Sequence, residues 1–201
     1  SPGACIQLTQ YCDAVVINAG DGTHEHPTQA LLDMMSLQEK FNKIKGLRIA
    51  IVGDILHSRV ALSNIYGLQK MGAKVTLCGP PHLIPRGIDE LGVSVNSDID
   101  EVIEWADALN VLRIQRERMG VGIIPSIREY RDFFGITNER LAKHKKEIAI
   151  MHPGPINRGV EIDSSVADGD QAIILDQVLN GVAIRMSILY LLMGPDEGIE
   201  N

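Results

Sequence analysis

From residue 46 onward, short apolar runs alternate with longer amphipathic stretches. Residues 47–52, 74–78, 93–95, 108–112 and 148–151 are mostly apolar and rich in Val, Ile and Leu. Turn formers such as Gly53, Gly79-Pro80-Pro81 and Pro153-Gly154 follow several of them. Near-continuous apolar runs bounded in this way mark strands buried on both faces. Helical patterns fall between them: residues 58–71, with Ser58 as N-cap and Gly72 as the stop, a short helix near 87–91, 98–105 behind Asp98, and 139–145 behind Asn138. Strands alternating with helices predict an α/β fold, a doubly wound parallel sheet with helices on both faces.

Two flanking regions stand apart from this repeat. Residues 14–18 read as a strand running into a turn at 19–22, a remnant of a second domain. Pro27 then opens a helix to about residue 41, at the first helical position, where its missing N–H costs nothing. Leu31, Leu32, Met34, Met35 and Leu37 cover most of that helix's circumference, which predicts burial on several sides, as for a linker wedged between two lobes. Residues 170–193 are helical with an interruption expected at Gly181, and the face of Ile188, Leu189, Leu191 and Leu192 needs a surface to cover. The expected division is therefore 1–26, a remnant; 27–45, a linker helix; 46–169, the α/β domain; and 170–201, helices that return toward the first domain.

Composition narrows the partners. A net charge of −7 argues against nucleic acid, and any anionic ligand must be gathered by a local cluster of cations. Cys5, Cys12 and Cys78 lack metal-ligand spacing and read as free thiols of a reducing cytoplasm. No uninterrupted apolar run approaches the roughly 18 residues of a membrane span, so no membrane partner is expected. No signal peptide is recognisable, and the chain opens Ser1-Pro2-Gly3, which reads as processed or as a piece of something longer.

In an open parallel sheet, ligands sit beyond the carboxyl ends of the strands. Residues 53–59 hold the first strand-to-helix turn, with a single Gly and with Ile55, Leu56 and His57 where a dinucleotide loop needs glycines. Arg59 falls in the first turn of a helix, where the dipole disfavours a cation, and so suggests an anion partner. Arg113 and Gln115 share one side of the next segment, a guanidinium fork and an amide suited to a carboxylate; Arg116 and Arg118 read as solvated or paired with Glu117. His24-Glu25-His26 lacks the one-turn separation of a helical zinc site. His26 could cap the helix, or, with Gln29 one turn on, polarise a carbonyl as a neutral imidazole. Pro153-Gly154-Pro155 makes a rigid turn with exposed carbonyls and a candidate cis bond before Pro155. No nucleophile with an attendant base is found. Cations, amides and one imidazole suit direct group transfer between two bound anions, with no cofactor and no metal.

Taken in order, Asn18-Ala19-Gly20-Asp21-Gly22, His26-Pro27-Thr28-Gln29, Gly53-Asp54 with Ser58-Arg59, Arg113-Ile114-Gln115 and His152-Pro153-Gly154-Pro155 closely resemble the aspartate carbamoyltransferases. Residues 157–162, Asn-Arg-Gly-Val-Glu-Ile, match the bacterial kind. The resemblance covers essentially the whole chain. It implies transfer of a carbamoyl group from carbamoyl phosphate to L-aspartate in pyrimidine biosynthesis, in a cytoplasmic homotrimer of full-length chains that could bind a regulatory or dihydroorotase subunit. By the same resemblance His26 binds the carbamoyl carbonyl oxygen, with Gln29 near the carbamoyl amine. Arg59 holds the α-carboxylate of aspartate, Arg113 and Gln115 its β-carboxylate side, and Gly154 and Pro155 lend backbone carbonyls. Ornithine carbamoyltransferases share His-Pro-x-Gln but carry His-Cys-Leu-Pro in the last loop, where this chain has His152-Pro153-Gly154-Pro155.

Two family features are missing from the sequence: the Ser-x-Arg-Thr-Arg phosphate loop, and a loop with a Ser and a Lys donated by a neighbouring subunit. The expectation is therefore a chain that supplies mainly the aspartate half of the site, lacks most of the carbamoyl-phosphate domain and is inactive by itself. The alternatives are a catalytically inactive interaction subunit of a pyrimidine-pathway assembly, an ornithine-type enzyme, or a nucleotide-binding α/β protein.

Overall fold

The computed structural model describes residues 2–115, 126–144 and 146–194. Five parallel strands form one sheet: β1 (Arg48–Val52), β2 (Lys74–Cys78), β3 (Ser94–Val95), β4 (Ala108–Val111) and β5 (Ala149–Met151), in the spatial order β3-β2-β1-β4-β5. β1 lies between β2 and β4, so that Ile49 faces Val75 on one side and Ala108 on the other. Side chains alternate across the sheet and feed two cores. Ile49 and Ile51 pack with Ile65, Leu68 and Leu77 on one face, and Ala50 and Val52 with Val102, Ile103 and Ile150 on the other. Leu68 is fully buried, and truncating it to Ala should cost about 2–5 kcal/mol.

The chain leaves β1 toward β2 and β3, then returns to the other side of β1 with β4. Strand order thus reverses between β1 and β4, which opens a crevice above their carboxyl ends. The helices follow their caps. Ser58 Oγ accepts from Ala61 N at 3.4 Å to start α3 (Arg59–Lys70), which stops before Gly72 at φ 81°. Asp98 accepts from the Asp100 and Glu101 amides at 2.9 and 3.1 Å to start α4 (Ile99–Trp105). α5 (Ile127–Phe134), which the hydrophobic pattern did not reveal, is capped by Ser126 through the Glu129 amide at 2.9 Å. Thr137, not Asn138, caps α6 (Asn138–Lys143), since the Thr137 hydroxyl accepts from Arg140 N at 3.1 Å while Asn138 turns to Ser165. Lys145 of the expected helix lies outside the described residues.

A helical layer covers one side. α2 (Pro27–Phe41) packs against α3 and α8 (Ile174–Met193); α1 (Ala4–Leu8) and α7 (Ser164–Ala167) are short. α2 is less uniformly buried than its sequence suggests: Leu32 and Leu37 are covered but Leu31 is exposed, and the polar Asp33 and Ser36 are among the buried residues. α8 runs through Gly181 without a break. A Cβ there would stand 3.3 Å from Leu32 Cδ2 and 2.6 Å from Arg185 Nη1, so this glycine lets two helices approach closely.

One further expectation is corrected. Residues 14–18 form no strand, because no strand among the described residues lies beside them to complete a ladder. α8 is long and apolar enough on average to cross a membrane, although Asp176, Gln177, Asn180 and Arg185 interrupt its apolar run. Its Gln177 and Asn180 are nevertheless buried in hydrogen bonds to α2, while Leu175, Tyr190 and Leu191 on its outer side are more than 70% exposed.

Candidate functional site

Past β1, the chain turns at Gly53 with φ 124°. A Cβ at this position would lie 2.9 Å from the Leu112 carbonyl, so the turn can press against the end of β4 only without a side chain. Buried Asp54 closes the turn by accepting from the His57 amide at 3.1 Å and pairing with the His57 ring at 2.9 Å. The cap at Ser58 then starts α3, and Arg59 in its first turn reaches the crevice. From β4, Ile114 turns into the core while Arg113 and Gln115 line the cleft, as the alternation required. Gln115 Nε2 donates to the His57 carbonyl at 3.2 Å and so ties the ends of β4 and β1 together.

The turn after β5 is built around His152. Its Nδ1 accepts from the Gly154 amide at 2.8 Å, which leaves the proton on Nε2, 3.3 Å from Glu161 Oε1. Glu161 also accepts from the Asn157 amide at 2.6 Å. The Gly154–Pro155 peptide is cis and Gly154 has φ 66°.

The fourth segment precedes α2. Asp21 accepts from the amides of Gly3 and Glu25 at 2.9 and 3.0 Å, and these bonds, Gly3 foremost, hold its carboxyl well below the usual carboxylate range. Gly20 has φ 117°, and a Cβ there would lie 2.5 Å from Arg59 Cζ, so the guanidinium rests against its bare backbone. His26 occupies the N-cap position of α2, yet its side chain makes no capping bond; the capping reading is thus corrected. Its amide donates to Ser63 Oγ at 2.9 Å and its Nδ1 meets Thr28 Oγ1 at 3.3 Å. Burial, then the charges of Arg59 and Arg185, pull its pKa down to about 4, which keeps the imidazole neutral at pH 7. His24 engages Asp21 instead, at 3.3 Å.

These segments enclose a cleft of about 170 Å³. All seven residues singled out from the sequence line it: His26, Gln29, Arg59, Arg113, Gln115, Gly154 and Pro155, joined by Ser58, Val60, Leu112 and Pro153. A wider hollow of about 570 Å³ shares Gln29, Gly154 and Pro155 and extends toward α8, with Arg185 and Arg158 on its walls. Arg158 is held by Asp168 through contacts of 2.7 and 2.8 Å. Arg116, Glu117 and Arg118 lie outside the described residues.

Sequence reasoning missed the supports of the cleft. Thr28 and Ser63 orient His26, and buried Asp33 anchors Gln29 at 3.0 Å. A signal was present: Gln29, Asp33 and Ser36 fall at i, i+4 and i+7, a polar stripe on an otherwise apolar helix.

Fold and cleft together define a doubly wound α/β protein with a crevice at its switch point that two arginines line. Comparison with known proteins makes the assignment particular. Residues 45–192 match the aspartate/ornithine carbamoyltransferase Asp/Orn-binding domain and residues 2–39 match the carbamoyl-P-binding domain of the same group. The chain belongs to the aspartate/ornithine carbamoyltransferase family. It is 58% identical over 192 residues to the aspartate carbamoyltransferase catalytic subunit of Gemmatimonas aurantiaca, covering 96% of this chain and 60% of that protein. It is also 58% identical to the Halothermothrix orenii subunit, covering 100% of this chain and 64% of that one. The chain therefore spans less than two thirds of these relatives. Among solved structures, the catalytic subunit of M. Jannaschii aspartate transcarbamoylase is 33% identical with a TM-score of 0.81, covering 98% of this chain and 65% of that one. The Pyrococcus furiosus ornithine carbamoyltransferase is 26% identical with a TM-score of 0.82, covering 95% and 63%. A Trypanosoma cruzi aspartate transcarbamoylase in complex with N-(phosphonacetyl)-L-aspartic acid is 29% identical with a TM-score of 0.81, covering 93% and 62%.

Proposed function

We propose that this chain forms the aspartate side of an aspartate carbamoyltransferase site, in which the amine of L-aspartate attacks the carbamoyl carbon of carbamoyl phosphate and phosphate leaves. The single observation that carries the reading is the cleft itself, where a neutral imidazole and an amide face two guanidinium groups across the switch point. If the Thr28 hydroxyl donates to His26 Nδ1, then Nε2 carries the ring proton and can hydrogen-bond the carbonyl oxygen as negative charge develops there. Arg59 takes the α-carboxylate of aspartate; Arg113, with Gln115, takes the β-carboxylate. Carbonyls of the Gly154–Pro155 turn accept from the amine and align it for attack. An ornithine side chain would bring an ammonium toward Arg113, so the charge of the cleft favours the dicarboxylate.

The same reading makes residues 27–45 the link between two domains and gives residues 170–201 the return toward the first. It places the reaction in pyrimidine biosynthesis, in the cytoplasm, within a homotrimer that can carry a regulatory or dihydroorotase subunit. Carbamoyl-aspartate formation tests it, measured with the chain alone and with the chain mixed with the portion of a relative that it does not span. Product in the mixture supports the proposal. No product in either sample, with folded protein, overturns it in favour of an inactive interaction subunit.

A further inference from the structure

Asp33 is fully buried on α2, and its four hydrogen-bond partners among the described residues are all side-chain amides. Oδ1 accepts from Gln29 Nε2 at 3.0 Å and Gln177 Nε2 at 2.7 Å. Oδ2 accepts from Asn64 Nδ2 at 2.8 Å and Asn110 Nδ2 at 3.2 Å. An ionised carboxylate only accepts, through about four lone-pair sites, so these amides must turn nitrogen toward Asp33 and oxygen away from it. For Gln29 this leaves Oε1 for the cleft that it lines. For Gln177 it leaves Oε1 for the His152 amide at 2.9 Å, and His152 Nδ1 in turn accepts from the Gly154 amide at 2.8 Å. Burial pushes the Asp33 pKa up and the four amides pull against that rise. One carboxylate thus orients an amide on one wall of the cleft and, through two more residues, the turn on the other.

We infer that Asp33 is a positioning residue that sets ligand selectivity: it presents Gln29 Oε1 as an acceptor, so that the cleft prefers an acyl group bearing N–H donors, and it steadies the Gly154–Pro155 turn. The selectivity rests on the acyl-transfer reading above; the orientation of Gln29 does not. Two experiments test them separately. In the unmodified, isotopically labelled chain, a through-hydrogen-bond coupling should connect Gln29 Nε2 to the Asp33 carboxyl carbon; its absence overturns the orientation. Binding of carbamoyl phosphate is then compared with that of acetyl phosphate, which has a methyl group in place of the amine. The unmodified chain, mixed with the portion of a relative that it does not span, should prefer carbamoyl phosphate. Asp33→Ala removes both acceptor oxygens, so the Gln29 amide is no longer held in one orientation and the preference should fall by on the order of tenfold. In a Gln29→Ala background the same change should leave the ratio unaltered.

A merely structural role would weaken both ligands equally, and that result overturns the selectivity claim. Binding of neither ligand by the unmodified protein overturns the acyl-transfer reading and the selectivity with it, while the coupling still decides the orientation. If Asp33→Ala does not fold, the coupling, together with the ligand ratio of folded Gln29→Ala, decides: an undiminished preference in that variant overturns the claim.

Discussion

Along one wall of the cleft stand His26 and Gln29, an imidazole kept neutral by burial and an amide held by a buried carboxylate. Along the other stand Arg59 and Arg113, permanent cations at the ends of β1 and β4. The first wall belongs to the stretch that matches the carbamoyl-P-binding domain, the second to the stretch that matches the Asp/Orn-binding domain. The difference is one of chemistry as well as origin. A neutral donor and acceptor suit an acyl group whose carbonyl gains charge only during reaction, whereas guanidinium groups suit carboxylates that are charged throughout. Binding energy and transition-state stabilisation are thus assigned to opposite walls, and each assignment can be broken separately.

The largest effect is expected from the cationic wall. Arg113→Ala removes the fork proposed to hold a carboxylate in a partly enclosed cleft, and losing one partner of such a pair costs about 2–5 kcal/mol. Apparent affinity for aspartate should fall by roughly 30- to 4,000-fold, with little change for carbamoyl phosphate. Isothermal titration with each substrate checks this, and equal losses would erase the division of labour. On the opposite wall, His26→Ala should lower kcat by about 100-fold while the KM for aspartate moves far less. A change confined to KM would show that His26 binds and does not act in the transition state.

A smaller effect probes the place where the walls touch. Gly20 lies under the Arg59 guanidinium at φ 117°, so Gly20→Ala both strains the backbone and displaces the cation. The expected cost is about 1–3 kcal/mol in stability, with aspartate affinity down by roughly tenfold and carbamoyl phosphate affinity nearly unchanged. Thermal denaturation and substrate titration read the two consequences apart. Retention of full aspartate affinity would mean that Arg59 finds its ligand without this support.

What could be read from the sequence follows from how local each signal is. β1, β2, β4 and β5 lie within a residue or two of the expected runs because apolar runs and Gly/Pro stops are local features. The seven cleft residues were accessible for the same reason: each sits just past a strand or at the entry to α2, where topology brings ends together. Residues 14–18 misled because a strand exists only if a second one lies beside it, which no local pattern reveals. Asp33 showed locally only as part of the polar stripe with Gln29 and Ser36, and its role stayed hidden because its partners Asn64, Asn110 and Gln177 are 31, 77 and 144 residues away. α5 was a miss of a different kind, since Ser126 with Glu129 three residues on is a capping-box pattern that was there to be used.

The finest test concerns the protonation state on which the neutral wall depends. His26 has its pKa lowered to about 4 from an ordinary 6.5, with burial the first cause and the cations Arg59 and Arg185 the next. In the unfolded chain it would protonate as pH falls past about 6.5, whereas in the folded chain it would resist until about 4. Its contribution to stability is therefore complete above pH 6.5, declines as pH falls from 6.5 toward 4, and is flat below. In ring-labelled protein, the His26 imidazole signals should stay in the neutral position from pH 8 down to about 5. Arg59→Gln should raise the midpoint by a fraction of a unit, because it removes one of the two cations while burial, the larger cause, remains. A His26 that titrates near 6.5 in the folded protein would place a cation on this wall at mildly acidic pH, and the contrast between the two walls would then hold only above neutrality.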